Sequence, residues 1–384
     1  MSDVYRPGLE DVIATDTTVS FLDLEREQIV IRGYDLIELA RRVRYPDVAH
    51  LLIHGDLPDP GQQQRFCASL ARNARPPEGV HSILRALPPG TVAMDALRTG
   101  LSALAGYEEP AVLDDTSHEA NVEKATRILA KAPAVAANAY RALHGLPPAD
   151  PEPERGFAGS FLAMIPGEPA DESGVEVFDR VLTCYSEHEL ANSTLTARVV
   201  ASTLADIYGA TVAATASLKG PLHGGANEAA ARMFAEIAEQ GGSSRAEDYV
   251  MDKLRAKARI MGFGHRVYMH SPDPRALLLK ADLDSMAERS AEAADLVRTY
   301  EICAATMQRE KGLYPNADLP IGLIMYLLDI PIDLYTPIFL CARIAGLVAH
   351  VIEQHDHNRL YRPRVLYEGP RDLSPPDGFT PSSC

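Results

Sequence analysis

The pattern of apolar and polar positions predicts a mostly α-helical chain with one small β element near its N-terminus. Residues 17–32, TTVSFLDLEREQIVIR, place β-branched and aliphatic residues on both sides of a polar centre, which is typical of a short hairpin. The rest of the chain has helical character. Asp35, for example, is suited to cap a helix that carries Leu36, Leu39 and Val43.

Capping residues predict three further helix starts. Ser244 and Glu247 form the Ser-x-x-Glu pattern of a capping box. Thr336 followed by Pro337 predicts a cap with a proline in the first helical position. Asn227, in the segment GPLHGGANE, is the third candidate cap.

The chain carries an excess of acidic side chains. It has 384 residues, with 37 Lys and Arg against 53 Asp and Glu, so its formal net charge is −16. This balance disfavours general binding to nucleic acid or to an anionic membrane. The length allows a sizeable core, and 46% hydrophobic with 23% charged residues is ordinary for a globular enzyme.

The sequence shows no signal peptide and no clear membrane span. The N-terminal residues, MSDVYRPGLEDVIATD, lack the apolar core of a secretory signal. The most apolar stretch, residues 319–352, is interrupted by Asp329, Asp333, Arg343 and three prolines, which is unfavourable for a span. We therefore expect a cytoplasmic protein.

Cysteines and histidines do not form a metal-binding or disulfide pattern. The five cysteines are scattered, and no CxxC pair occurs. The closest histidines, His355 and His357, are two residues apart and do not share a helix face, and there is no HExxH motif. The motifs GxxxxGK[ST], GxGxxG and GxSxG are absent as well. We expect neither a metal nor a bound cofactor.

Four polar residues stand where helices are predicted to begin or end. They are His188 in SEHELANST, His223 in GPLHGGANE, His265 in GFGHRVY and Asp318 in YPNAD. Taken singly, such a histidine is most often a cap or a structural residue, and an aspartate after Pro-Asn is most often part of a turn. Glycines beside His223 and His265 would allow unusual backbone angles and the close approach of a ligand.

Between residues 251 and 280 the local charge is reversed. Seven basic residues stand there against two acidic ones, Asp252 and Asp273. The seven are Lys253, Arg255, Lys257, Arg259, Arg266, Arg275 and Lys280. Such a run is usually a solvated helix face, but in an acidic chain it is also what a polyphosphate ligand would need.

Together these segments resemble the citrate synthase family, which includes 2-methylcitrate synthases. GPLHGGANE, GFGHRVY followed by DPRA, and YPNAD occur in the family's order and spacing, from about residue 17 to about residue 370 of the chain. The resemblance implies a mostly all-α, two-domain citrate synthase fold with a small N-terminal β-hairpin, assembled as a homodimer. Residues 1–220 and 329–384 would form the large helical domain. Residues 221–328 would form the small helical domain that contains the catalytic His and Asp.

The resemblance also implies a transferase that condenses acetyl-CoA or propionyl-CoA with oxaloacetate and water, giving citrate or 2-methylcitrate plus CoA. Removing the α-proton of a thioester requires a base and hydrogen bonds that stabilise the enolate. By resemblance Asp318 is the base, His223 hydrogen-bonds the thioester oxygen and His265 activates the ketone of oxaloacetate.

Ligand contacts follow from the same resemblance. Oxaloacetate is a dianion, and its carboxylates favour arginine partners. The residues at the family's oxaloacetate positions are His188, Arg275, Arg343 and Arg362, of which the last is expected to reach into the neighbouring subunit's site. The backbone expected to contact coenzyme A is that of Ile260, Met261, Gly262, Phe263 and Gly264.

Two departures from the family pattern concern the acyl group. Ala317 precedes the catalytic Asp where Val or Leu is common, and Leu-Pro-Ile-Gly follows it in place of FYSG, as in some members that act on propionyl-CoA. Two other functions stay open. One is a catalytically silent helical binding protein on the same scaffold, which the complete set of His223, His265 and Asp318 disfavours. The other is a metal-dependent hydrolase, which metal analysis would reveal.

Overall fold

A small antiparallel sheet opens the fold. The computed structural model describes residues 5–10, 12–167, 169–265, 268, 271–376, 379 and 382. Strands β1 (Ser20–Asp23), β2 (Gln28–Ile31) and β3 (Tyr34–Asp35) pair in the order β1-β2-β3. The predicted hairpin is confirmed, with Phe21 opposite Val30. The two-residue strand β3 was not expected from the sequence.

Helices make up most of the described chain after the sheet, as the sequence predicts. They are α1 (Leu36–Arg42), α2 (Tyr45–His54), α3 (Pro60–Asn73), α4 (Glu78–Arg85), α5 (Ala93–Ala105), α6 (Pro110–Leu113), α7 (His118–Leu143), α8 (Gly156–Met164), α9 (Glu172–Tyr185), α10 (Asn192–Ala201), α11 (Ile207–Leu218), α12 (Ala226–Glu239), α13 (Ala246–Arg255), α14 (Pro274–Ala287), α15 (Ala291–Lys311), α16 (Asp318–Leu327) and α17 (Tyr335–Asp356). Short 3₁₀ turns occur at Pro7–Leu9, Pro153–Arg155, Gly242–Arg245 and Ile332–Leu334.

Two of the predicted caps have opposite outcomes. Asp35 caps α1 as predicted, because its carboxylate accepts hydrogen bonds from the backbone N–H groups of Ile37 and Glu38 at 2.7 and 3.0 Å. The Ser244 prediction is wrong, since α13 begins two residues later at Ala246. Ser244 instead lies in the 3₁₀ turn Gly242–Arg245, and its hydroxyl donates to the carbonyl of Gly241, the residue before that turn.

The other two predicted caps are wrong because their side chains join separate helices. The first residue of α17 is Tyr335, and the Thr336 hydroxyl hydrogen-bonds to Glu228 on α12. Asn227 is the second residue of α12, and its amide donates to Tyr185 on α9. Both contacts therefore join the first turn of α12 to neighbouring helices, α9 and α17.

Helix α17 is the centre of the core. It packs against α2, α5, α7, α9, α10 and α11, and nearly all its residues are buried. By length and composition the segment Ile332–Asp356 is apolar enough to cross a membrane, but its most apolar window lies wholly inside the protein. That burial is what a core helix shows.

The helices α12 to α16 form a second packed group. Within it α12 packs against α16, α14 against α15 and α16, and α13 against α15. Contacts of α16 with α9 and of α12 with α17 join this group to the first. The domain boundaries near residues 220 and 328 stay a prediction.

Candidate active site

His223 lies on the turn between α11 and α12. Its Nε2 is 2.8 Å from the Ser193 hydroxyl and accepts from the Ser193 backbone N–H at 3.4 Å. Burial, reinforced by the charge of Arg343, lowers the pKa of His223 to about 4, so the ring is neutral near neutral pH. With Nε2 as the acceptor, the proton sits on Nδ1, which is then available to donate to a ligand oxygen.

The turn that carries His223 is fixed by close packing. A Cβ on Gly224 would lie 2.5 Å from the Leu218 carbonyl oxygen and 3.0 Å from the Thr336 methyl group. Only glycine therefore fits there without displacing the backbone. The Thr336 hydroxyl also bonds to the Gly224 carbonyl at 3.3 Å, which holds the turn against α17.

Asp318 is the first residue of α16, and its carboxylate is held by a neutral donor. The Tyr185 hydroxyl donates to Asp318 Oδ1 at 2.8 Å. Asn227 Nδ2 donates to that same hydroxyl at 3.1 Å, which leaves the phenolic proton to Asp318. Burial raises the pKa of Asp318, and the Tyr185 hydrogen bond offsets only part of the rise.

The loop that carries His265 is hydrogen-bonded to the loop that leads into α16. The Gly264 N–H donates to the Tyr314 carbonyl at 2.8 Å, and the Asn316 N–H donates to the Gly262 carbonyl at 3.0 Å. Both glycines have positive φ, 89° at Gly262 and 74° at Gly264, a region where other residues are strained. The glycines thus permit the tight pairing of the two loops.

His265 and His188 lie side by side. Their ring centroids are 5.2 Å apart, and the Tyr268 ring packs against both, at 4.9 Å from His265 and 6.2 Å from His188. Burial, followed by the charge of Arg275, lowers the pKa of His265 to about 4, and the same causes lower that of His188 further. Nε2 of His188 is buried, and no described residue hydrogen-bonds to it.

Arg275 is paired with Asp273 in a buried two-point contact. Its Nε and Nη2 donate to the two carboxylate oxygens at 3.0 and 2.7 Å. Burial alone would raise the pKa of Asp273, but the charge of Arg275 outweighs it and the pKa is lowered. Asp273 also accepts from the Ala317 N–H at 3.2 Å, beside Asp318.

Arg343 enters the site from α17. Its Nε donates to the Tyr185 carbonyl at 2.6 Å, and its guanidinium lies over the Phe339 ring, 4.8 Å from the centroid. Burial lowers its pKa to about 10, which leaves it charged near neutral pH. Phe339 also stacks on Tyr185 at 4.1 Å and meets His223 edge-on at 6.2 Å. The Phe339 ring thus contacts Tyr185, His223 and Arg343 at once.

Arg362 is not part of this cluster. It follows α17 on the surface, where Nη1 donates to the Pro363 carbonyl at 2.9 Å. It lines a cavity together with Arg32 and Glu353, and none of the contacts seen among the described residues links it to His223, Asp318 or Arg343.

The basic run is largely neutralised by nearby acids. Lys253, Arg255 and Lys280 form ion pairs with Glu236, Asp252 and Asp284 respectively. In the described part of the chain no ion pair involves Lys257 or Arg259, and Arg266 lies outside the described residues. Among the described residues there is also no group of three or more His, Cys, Asp or Glu side chains that could hold a metal ion.

Sequence reasoning missed four residues that hold the site together, namely Tyr185, Ser193, Asp273 and Phe339. Two lie in segments that were singled out, Ser193 in SEHELANST and Asp273 in DPRA. The Asp-x-Arg spacing of the latter is a usable signal for a carboxylate that orients a guanidinium. Nothing in the local sequence indicates that Tyr185 reaches a carboxylate 133 residues away.

The chain is similar to known proteins in both sequence and structure. The family model "Citrate synthase, C-terminal domain" matches residues 8–364. The chain is 46% identical over 370 residues to a protein of Bacillus subtilis named citrate/2-methylcitrate synthase, covering 96% of this chain and 97% of the relative.

Solved structures show the same likeness. A citrate synthase from Pyrobaculum aerophilum has a TM-score of 0.88 and 33% identity, covering 96% of this chain and 93% of that one. A second neighbour, at TM-score 0.88 and 29% identity, is the citrate synthase of Thermoplasma acidophilum in a ternary complex with carboxymethyl coenzyme A and oxaloacetate. It covers 96% of this chain and 97% of that one.

Proposed function

Because the chain belongs to the citrate synthase family, we propose that His223, His265 and Asp318 carry its condensation of an acyl-CoA with oxaloacetate and water. The observation that supports these roles best is the environment of Asp318. Its carboxylate has a raised pKa and a neutral hydrogen-bond donor, and it is joined through Tyr185 and Phe339 to His223. A carboxylate with a raised pKa and no ion pair to a described cation is suited to act as a base.

In the first step Asp318 removes a proton from the α-carbon of the thioester. The raised pKa makes the carboxylate a stronger base. As the enolate forms, negative charge develops on the thioester oxygen, and Nδ1–H of neutral His223 donates to that oxygen. Because Ser193 holds the opposite ring nitrogen, the donor is oriented before the substrate arrives.

In the second step the enolate attacks the ketone of oxaloacetate. His265, which is neutral for the reasons given above, donates a proton to the ketone oxygen as the carbon–carbon bond forms. Its ring then regains a proton from water, and Asp318 returns to solvent the proton that it took. Water then hydrolyses the condensed thioester and releases CoA. Depending on the acyl group, the product is citrate or 2-methylcitrate.

We assign the binding of oxaloacetate to Arg275, Arg343 and His188. Asp273 occupies Nε and Nη2 of Arg275, so Nη1 is directed to a substrate carboxylate. Arg343 uses only Nε toward a described residue, which leaves its two terminal nitrogens for the other carboxylate. The buried, unpartnered Nε2 of His188 is the third contact.

Coenzyme A is assigned to the backbone of Ile260–Gly264, the loop that pairs with the segment before Asp318. Lys257 and Arg259 precede this loop and form no ion pair with a described residue, so they are the candidates for the phosphates of coenzyme A. The chemistry uses the thioester as a substrate and requires no further cofactor.

We assign residues 221–328 to the small domain and the remainder to the large one. Arg275 and His265 then belong to the small domain, whereas His188 and Arg343 belong to the large one. Since oxaloacetate contacts both, its binding favours closure and should precede that of the acyl-CoA. Hydrogen exchange with and without oxaloacetate would test this, because an unchanged exchange pattern contradicts closure.

We also propose a cytoplasmic homodimer in which Arg362 serves the partner's site, since its side chain is remote from the cluster in its own chain. Arg362→Ala should lose most activity through oxaloacetate binding. Mixing it with Asp318→Ala should then recover activity in the mixed dimer, which has one intact site. A fully active monomer, or mixed dimers without recovery, would contradict the shared site.

The function itself is tested by release of free CoA thiol with oxaloacetate and a series of acyl-CoAs of increasing length. Turnover is expected with acetyl-CoA or propionyl-CoA only when oxaloacetate is present. Absence of turnover with every acyl-CoA would instead favour a silent binding protein, and activity that depends on a metal found in the purified protein would favour the hydrolase.

A further inference from the structure

Ser20, a buried residue of strand β1, contacts both neighbours of His188, which lie 167 and 169 residues further along the chain. Its hydroxyl donates to Glu187 Oε1 at 2.9 Å and accepts from the Glu189 N–H at 3.1 Å. A hydroxyl can do both at once, since it has one proton and two lone pairs. One oxygen thus holds the chain on either side of His188.

The same turn is held at a second point on β1. The Leu22 N–H donates to Glu189 Oε2 at 3.0 Å. Glu189 has a φ of +54°, in the left-handed region that non-glycine residues seldom adopt. A backbone in that region costs free energy and persists only where its surroundings hold it. The contacts from β1 supply that restraint.

Glu187 links this turn to the helix that carries Arg343. His350 Nδ1 lies 3.0 Å from Arg198 Nη1, and because a guanidinium only donates, Nδ1 is the acceptor. The His350 proton therefore sits on Nε2, which donates to Glu187 Oε1 at 3.3 Å. His350 and Arg343 are two turns apart on α17.

The fit of Glu187 against α17 is close. A Cβ on Gly346 would lie 1.9 Å from Glu187 Oε2, so the carboxylate rests against the bare helix backbone between Arg343 and His350. The positions of His188 and Arg343, which come from different elements, are therefore set relative to each other by Glu187, with Ser20 as its support from the sheet.

We propose that Ser20 is a positioning residue of the oxaloacetate site, which acts by fixing the turn of residues 187–189 and so the ring of His188. This inference rests on the proposed contact of His188 with oxaloacetate. The N-terminal hairpin thereby becomes part of the substrate site, although none of its side chains is assigned to the substrate.

Ser20→Ala is the direct test, with steady-state kinetics as the readout. It should raise KM for oxaloacetate about tenfold, as the loss of about one buried hydrogen bond would. The kcat and the KM for acyl-CoA should change less than about threefold, because His223 and Asp318 have other supports. Ser20→Thr retains the hydroxyl and should restore most of the affinity.

Thr18→Val is the control, since Thr18 lies two residues before Ser20, just ahead of strand β1, and bonds to Glu353 rather than to the turn. It should lower thermal stability without changing KM for oxaloacetate. Equal KM changes in Thr18→Val and Ser20→Ala would overturn the proposal in favour of a general effect of the hairpin. Should Ser20→Ala not fold, Glu189→Ala removes the Leu22 contact and should show the same selective rise. An unchanged KM there would overturn the proposal as well.

A comparison with His188→Ala separates this inference from the function on which it rests. If His188→Ala leaves KM for oxaloacetate unchanged, the assigned role of His188 is wrong. If it raises KM while Ser20→Ala does not, only the positioning role is wrong. The expected result is that Ser20→Ala adds little in the His188→Ala background, because both changes act through one group.

Discussion

The carboxylates of Asp273 and Asp318 both lie beside the Ala317 backbone, and their pKa values are shifted in opposite directions. Asp273 accepts two hydrogen bonds from the Arg275 guanidinium, and its pKa is lowered in spite of burial. Asp318 accepts from the uncharged Tyr185 hydroxyl, and its pKa is raised. The Arg275 guanidinium is hydrogen-bonded to Asp273, and although its charge lowers the pKa of Asp318, burial outweighs that effect, which suits the proposed role of Asp318 as a base. Carboxylates with divergent pKa values in one site mark a division of roles.

The largest expected effect comes from removing the proposed base, Asp318. Asp318→Asn keeps the shape of the side chain and its contact with Tyr185, but it cannot take a proton. We expect kcat to fall by about 10² to 10⁴, with oxaloacetate affinity retained. Steady-state kinetics and calorimetric titration of oxaloacetate measure the two quantities. Activity within about tenfold of the unmodified enzyme would show that another group is the base.

Removing the other carboxylate should affect stability and binding more than chemistry. Asp273→Asn leaves Arg275 charged, buried and half-paired, at a cost of about 3 kcal/mol or more in the free energy of unfolding. KM for oxaloacetate should rise because the guanidinium is no longer oriented. Denaturant unfolding measures the cost.

Asp282→Asn is the control for that change. Asp282 lies on α14 and pairs with Arg180 of α9. Its loss should also destabilise the fold but leave KM for oxaloacetate unchanged. A kcat loss in Asp273→Asn as large as that of Asp318→Asn would erase the distinction between the two carboxylates.

Tyr185→Phe tests the difference between the two carboxylates through the pH dependence of the reaction rate. The Tyr185 hydrogen bond lowers the pKa of Asp318, so its removal should raise that pKa further. Since only the ionised carboxylate is a base, the acidic limb of the rate profile should move to higher pH. The phenylalanine keeps the stacking on Phe339, and kcat at the optimum should fall by about tenfold or less. An acidic limb that moves to lower pH, or stays in place, would show that Tyr185 does not lower the pKa of the group that acts as the base.

The smallest expected effect concerns the residue between the two carboxylates. Ala317 is buried, 3% exposed, where the family commonly has Val or Leu, and the smaller side chain favours room for the extra methyl group of propionyl-CoA. We expect both acyl-CoAs to react. Ala317→Leu should shift the ratio of kcat/KM values toward acetyl-CoA by about 1–3 kcal/mol at most. An unchanged ratio would mean that the side chain points away from the acyl group.

The sequence predicted those features that depend on local residues. The hairpin and the Asp35 cap are confirmed because each is specified within a few positions of chain. The Asn227 and Thr336 caps are wrong because both side chains have partners on distant helices, Tyr185 and Glu228. Capping signatures describe only what a side chain can do within its own turn.

The same reason explains what was missed in the site. His223, His265 and Asp318 stand in recognisable segments, whereas the groups that set their proton affinity come from elsewhere. Tyr185 lies 133 residues before the carboxylate it serves. Phe339 looks like any apolar residue of a core helix until three side chains are found around its ring.

The pairing of the glycine loop with the segment before α16 has a mechanical consequence. Two main-chain hydrogen bonds join the loop that carries His265 to the segment that leads to Asp318, so we expect the two segments to move together. In the proposed closure of the small domain, a rotation would move both segments together and preserve the distance between them. Such a rotation would change the distance of both residues from Arg343, which lies on α17. If the proposed domains open, oxaloacetate would therefore lose its contact with Arg343, while His265 and Asp318 would keep their positions relative to each other.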